Sequence, residues 1–281
     1  MLCRAYGVET IGDNWQDVGR SSVVEAYRQG WLNETALSAP RSPMCRSVLV
    51  ESAFAAADVP VYDSTLYEGG ASLSTADNIL RVGRELGLCS DDADTNALVT
   101  RGDAAIILHV VLTQSFRIEE PPVPVTLVNA AGVNVNDFLL ELRKLPEQVL
   151  DAFNAAGWTY CIDFDYMGGL SKKLNMSCIG ATSYGQKTIY ISEASATLHE
   201  FGHFLDWMLG FPAEHEQLFR AEAAAAPLRD YAKTNAREYF ADCFAYWVKY
   251  AENANAISLL QECAPMTYRY MEDLMRIANR L

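Results

Sequence analysis

The pentapeptide His199-Glu200-Phe201-Gly202-His203 constrains this chain more than any other feature. Residues four apart share one face of an α-helix, so the two imidazoles converge on one point only if the segment is helical. With a metal ion at that point, the neighbouring Glu200 faces metal-held water and can take its proton. The surrounding pattern predicts the helix. Ser192 reads as its cap, the helix runs from about 193 to 209, and Leu198, Phe201, Leu205 and Met208 form a core-facing stripe. Gly202 in mid-helix costs about 1 kcal/mol relative to alanine, which suggests close packing against a neighbour. Gly210 and Pro212 supply the stop.

A zinc protease site takes three protein ligands and keeps one position open. Glu238 is the best candidate for the third. It lies in Ala236-Arg-Glu-Tyr-Phe-Ala-Asp-Cys-Phe-Ala-Tyr-Trp-Val-Lys-Tyr250, where Phe240, Phe244 and Trp247 form an apolar helical stripe beside an acidic and small face of Glu238, Ala241, Asp242 and Ala245. Asp242, one turn on, is placed to accept the second ring N–H of a ligand histidine. Glu214, Glu216, Glu222 and His215 compete for the ligand role, but the charges of the Ala-rich 213–226 segment read as solvated.

These residues carry a family resemblance. His199-Glu-Phe-Gly-His203, then Tyr231, then Glu238-Tyr-Phe-Ala-Asp242-Cys-Phe244 resembles the catalytic domain of anthrax lethal factor and its relatives, the Pro-Pro endopeptidases. There a tyrosine precedes a glutamate ligand by seven residues, in an E-F-F-A-E-x-F context. Tyr239 and Asp242 are mild departures. The resemblance covers roughly 125–281 and implies one catalytic Zn²⁺ on His199, His203 and Glu238. It further implies Glu200 as general base and Tyr231 as the hydroxyl that stabilises the oxyanion. The implied substrates are peptides or proteins, with proline-containing sequences among them.

Upstream, 183–192 reads as a strand in which Thr188 and Tyr190 alternate with Ile189 and Ile191. An extended peptide could pair with Thr188, Ile189, Tyr190 and Ile191 as an added strand beside the metal. Asn136 to Ala156 is a helical pattern with a break at Pro146. Residues 158–164 form a strand, the glycine- and lysine-bearing 168–175 a loop, and 255–263 and 266–280 two final helices. The expected fold is α+β: a zincin-like metallopeptidase domain with a small sheet and an active-site helix, preceded by a mainly α-helical repeat domain.

The composition changes at the proline-rich stretch within 118–125, which divides a segment 1–117 from a metallopeptidase domain 126–281. Within the first segment, 22–54 and 79–111 look alike. Each has a helix ending at Gly30 or Gly87, a loop, and a second apolar helix starting near Ser42–Arg46 or Thr100–Asp103. With Trp15-Gln-Asp-Val18 and Val99-Thr-Arg-Gly-Asp-Ala-Ala105, these halves resemble S-layer homology repeats, which anchor proteins to cell-wall polymer. Met1–Val8 reads as the tail of an earlier repeat. The expectation is a chain that continues upstream, where a signal peptide would lie, and a secreted or cell-surface location.

The net charge of −14 argues against nucleic acid and anionic lipid as partners. No apolar run approaches the ~18 residues of a membrane span. Seven cysteines without C-x-x-C spacing exclude a cysteine zinc site. Cys161 and Cys178 could pair across adjacent strands, while most of the others read as free thiols. Two functions stand against each other: a wall-tethered zinc endopeptidase, and a wall-binding surface protein with an inactive protease-like domain. An aminopeptidase-like role fits less well, because no amine-binding glutamate motif precedes the zinc helix.

Overall fold

The computed structural model describes residues 1–90 and 92–278, which form two units, Met1–Pro121 and Pro122–Leu281. The first is helical: α1 (Leu2–Ala5), α2 (Trp15–Arg28), α3 (Glu34–Ser38), α4 (Arg46–Ala56), α5 (Thr75–Glu85) and α6 (Arg101–Thr113). Its core joins Leu49, Val50 and Phe54 of α4 to Leu80 and Val82 of α5 and Ile107 and Val111 of α6. The segments 22–54 and 79–111 meet just ahead of α4 and α6. Cys45 bridges Leu98 antiparallel, with Arg46 N–H donating to the Ala97 carbonyl at 2.9 Å and Val99 N–H to the Met44 carbonyl at 3.1 Å. Thr100 and Asp103 then cap α6 reciprocally.

The second unit is α+β, as its pattern suggested. In order it contains β1 (Leu127–Asn129), α7 (Asn136–Leu142), α8 (Glu147–Ala155), β2 (Thr159–Ile162), α9 (Phe164–Leu174), β3 (Gly180–Ser183) and β4 (Thr188–Ile191). There follow α10 (Thr197–Met208), α11 (Ala213–Glu222), α12 (Ala236–Lys249), α13 (Ala254–Cys263) and α14 (Pro265–Ala278). The sheet order is β1-β2-β4-β3; β1, β2 and β4 run parallel and β3 pairs antiparallel with β4. Aromatic side chains seat the sheet and α8 on α10. Phe153 lies 4.8 Å from Phe201 and 5.1 Å from Phe204, and Trp158 lies 5.2 Å from Phe204 between ring centroids. Each such pair contributes about 1 kcal/mol beyond its buried area.

Several expectations need correction. Residues 168–175 are mostly helix, not loop. Asp163 caps α9 through the Tyr166 N–H, Met167 is buried beneath it, and Asn175 ends it in a left-handed conformation. The cap and the buried anchor outweigh the glycine pair. The strand read across 183–192 is the end of β3, a turn, and β4. Ser192 caps nothing; its hydroxyl donates to the Ile179 carbonyl, and α10 starts later, after a short 3₁₀ turn at Ala194–Ala196. Phe204, not the 43 % exposed Met208, completes the buried stripe of α10. All seven cysteines are free, and the proposed Cys161–Cys178 pair fails because β4 lies between β2 and β3.

The Ala-rich 213–226 stretch is also less solvated than it reads. Glu222 is buried and accepts from the Met266 and Thr267 N–H groups at 2.8 Å each, satisfying the first turn of α14. His215 bridges Asp206 (2.7 Å) and the Tyr270 hydroxyl (2.8 Å) while stacking on Phe240 at 3.9 Å. It ties α10, α11, α12 and α14 together and stands apart from the ligand cluster. His215→Ala leaves the 2 % exposed Asp206 without its partner and should cost about 3 kcal/mol in urea unfolding. A loss under about 0.5 kcal/mol would show that water can replace the imidazole.

Candidate metal centre

α10 and α12 bring the site together by unusually close packing. A Cβ placed on Gly202 would lie 2.6 Å from the Ala241 Cα and 2.8 Å from its carbonyl oxygen, so only glycine lets the two backbones touch here. The contact is one helical turn from Glu238 and lies within the His199–His203 turn. Asn235 accepts from the Arg237 and Glu238 N–H groups, which fixes the first turn of α12. At the other helix, the Tyr160 and Thr197 hydroxyls meet at 2.6 Å and tie the start of α10 to β2.

The structure brings His199, His203 and Glu238 together. Their donor atoms all lie within 4.8 Å of one another. Nε2 of His199 and Nε2 of His203 are 3.1 Å apart, and Glu238 Oε2 lies 3.1 Å and 3.3 Å from them. A tetrahedral zinc with bonds near 2.0–2.2 Å asks for ligand atoms roughly 3.3–3.6 Å apart, so the trio fits such an ion. The chemistry fits too. Glu238 Oε2 is buried with only the two ring nitrogens beside it and no well-aligned hydrogen-bond donor. The His199 Nδ1–H points to Asp242 Oδ1 at 2.6 Å, which leaves its Nε2 lone pair aimed at the trio.

The same geometry shows in the titration of the ligands. Burial opposes ionisation of His199, but the Asp242 and Glu238 carboxylates, with Glu200 behind them, outweigh it and push the imidazole up to about 9. Burial would raise Glu238, yet the two imidazoles against it hold the carboxyl at about 2. The carboxylates around His199 thus favour a cation at this point, which in the absence of metal means a proton on the imidazole. Metal binding must displace that proton. The affinity of the trio for a divalent ion is therefore expected to rise nearly tenfold per pH unit from pH 7 to about 9, with about one proton released per ion at pH 7. Calorimetry in buffers of different ionisation enthalpy measures this; a pH-independent affinity over that range would show that His199 is already neutral.

Around the trio stand the other named residues. Glu200 is buried, and Thr182 of β3 donates to its Oε2 at 2.7 Å. A Cβ on Gly180 would come within 2.5 Å of the Glu200 Oε1, so the strand leaves that carboxylate its space. Tyr231 lies in a 3₁₀ turn (Asp230–Lys233), 42 % exposed, its ring centroid 6.2 Å from that of His199. Burial, then the charges of Glu238 and Glu200, push its hydroxyl upward, so it stays protonated and able to donate at neutral pH. Asp242 is gripped by Arg229, whose Nε and Nη2 donate to its two oxygens at 2.6 Å and 2.8 Å. All these groups face one cleft of about 1360 Å³.

One site expectation fails. Thr188, Ile189, Tyr190 and Ile191 cannot take an added peptide strand, because β4 is already paired with β2 on one side and β3 on the other. The free edge beside Glu200 belongs to β3, Gly180–Ser183. Sequence reasoning also missed Arg229, Thr182 and Gly180. Arg229 precedes Tyr231 by two residues in an irregular segment, where no periodicity marks a partner. Gly180 carried a signal, an isolated glycine at the start of a short β-forming run.

Comparison with known proteins bears on this half of the chain. A family described as "Anthrax toxin lethal factor, N- and C-terminal domain" matches residues 141–274, which contain both site helices. Curated proteins yield no match. Among solved structures, the Pro-Pro endopeptidase PPEP-2 from Paenibacillus alvei is similar at 18% identity with a TM-score of 0.41, over 53% of this chain and 96% of that one.

Proposed function

We propose that this chain is a zinc-dependent endopeptidase acting on peptide or protein substrates. The observation that carries this reading is the convergence of His199, His203 and Glu238 donor atoms beside the buried Glu200 carboxylate, all facing an open cleft. The lethal-factor-like sequence over 141–274 supports it. A zinc ion on the trio supplies Lewis acidity and lowers the pKa of water toward about 7. The chain's own groups do the rest. A peptide pairs along the free β3 edge, which orients one carbonyl over the trio. Glu200 takes the proton of the attacking water and returns it to the leaving amine. The Tyr231 O–H donates to the oxyanion as it forms. Asp242, held by Arg229, fixes the His199 tautomer.

Tyr231→Phe should lower kcat by a hundredfold or so while zinc stoichiometry is unchanged, since one oxyanion donor is removed and no ligand is touched. Equal turnover in the variant removes Tyr231 from this role. The defining experiment is zinc analysis of the purified protein together with cleavage of a broad peptide library that includes proline-containing members. One zinc per chain with cleavage supports the enzyme. One zinc with no cleavage of any member favours a surface-binding protein whose peptidase-like domain is inactive.

We further propose that residues 1–117 tether the chain to a cell wall, which implies secretion. The support is the helix, Gly30 or Gly87, loop and helix shared by the two halves, and their mutual pairing at Cys45 and Leu98. Co-sedimentation of the whole chain with wall sacculi tests this. Absence of binding at physiological salt would sink it.

A further inference from the structure

We propose that Arg237 is a specificity residue that reads a carboxylate on the bound peptide. This rests on the peptidase reading and extends it to substrate class. Arg237 is an exposed cation in the lining of the cleft, immediately before the ligand Glu238. It sits in the first turn of α12, where the helix dipole disfavours positive charge. Among the described residues it has no carboxylate within ion-pair distance, in a chain with 36 acidic and 22 basic side chains. Its charge is therefore balanced by no carboxylate of the chain, and only ring faces meet it.

It is nonetheless held in place. The guanidinium carbon lies 4.3 Å over the Phe211 ring and 5.9 Å from the Tyr184 ring. Tyr184 packs edge-on against Phe211 at 5.3 Å and against the buried Trp158 at 6.4 Å, so the aromatic cage is anchored in the core. Phe211 adopts a left-handed backbone (φ 53), a strained conformation for an aromatic residue. Stacked on a ring, a guanidinium keeps its N–H fork in its own plane and free for bidentate bonding to a carboxylate. The other cations of the cleft are either neutralised or remote. Arg229 is engaged by Asp242, and Lys249 lies over Tyr250 at the opposite end of α12, roughly 18 Å along the helix.

The ligand is an acidic side chain near the scissile bond or the substrate's terminal carboxylate. Zinc-loaded protein is assayed with end-blocked peptides carrying Asp or Asn in turn at each position, and with the same peptides bearing a free C-terminus. Binding of the same peptides to the Glu200→Gln protein is measured by calorimetry. The expected result is a ten- to hundredfold preference, in kcat/KM and in affinity, for Asp over Asn at one position or for the free over the blocked terminus. Arg237→Gln should abolish that preference in both kcat/KM and affinity with zinc content retained, and Arg237→Glu should reverse it, so that the Asp or free-terminus peptide becomes the poorer one. Cleavage without any carboxylate preference overturns the proposal and leaves the peptidase reading intact. Selective binding of the carboxylate form without cleavage does the reverse. No binding and no cleavage overturns both.

Discussion

Gly202→Ala is expected to lower the thermal midpoint of the second unit by several degrees and to weaken zinc binding at least tenfold. The added methyl would lie 2.6 Å from the Ala241 Cα and 3.1 Å from its carbonyl carbon. These are backbone atoms inside a helix, so they cannot rotate aside as a flexible side chain would. The helices must separate, at a cost of about 3 kcal/mol, against which alanine's better helix propensity returns only about 1 kcal/mol. The site suffers more than the fold. His199 and His203 lie on α10 and Glu238 on α12, with present spacings of 3.1 Å and 3.3 Å from Glu238 Oε2 to the two rings. A shift of a few tenths of an ångström between the helices is comparable to the whole tolerance of a zinc bond. Thermal unfolding and competitive chelator titration together measure the effect. An unchanged midpoint with unchanged affinity would falsify the close approach of the two helices.

Glu200→Gln should reduce turnover by about a thousandfold while leaving fold and zinc content unchanged. Glutamine matches glutamate in shape and can still accept from Thr182, which now donates to Oε2 at 2.7 Å. The amide cannot take a proton from water. The loss therefore isolates proton transfer from packing and metal binding. Retention of a tenth or more of wild-type activity would assign the base to another group, and Glu200 would be reduced to a buried partner of Thr182.

Much of this site could be read without coordinates, because its main parts are local. The histidines and Glu200 share one turn, and the E-Y-F-A-D run gives Glu238 and Asp242 one helical face. Both facts follow from the 3.6-residue period. Gly202 in mid-helix pointed to a close neighbour, since nothing else would offset its helix cost. The helices of 1–117 that stop ahead of Gly30 and Gly87 were legible for the same reason, through glycines at helix ends and apolar spacing.

What only the tertiary structure decided is non-local. Strand order placed β4 inside the sheet and exposed β3, which no period-2 pattern can foretell, since a central and an edge strand alternate alike. Arg229 reaches Asp242 from an irregular segment thirteen residues upstream, and Glu222 turned from apparent solvated charge into the acceptor for α14. The aromatic cage of Arg237 draws on a hairpin turn, a helix end and the first turn of another helix. The sequence by itself determined which residues could donate to a metal, because helical spacing is written in single turns. Their partners, their tautomers and the open edge beside them arose from how separate elements pack, and packing depends on shapes that no local window contains.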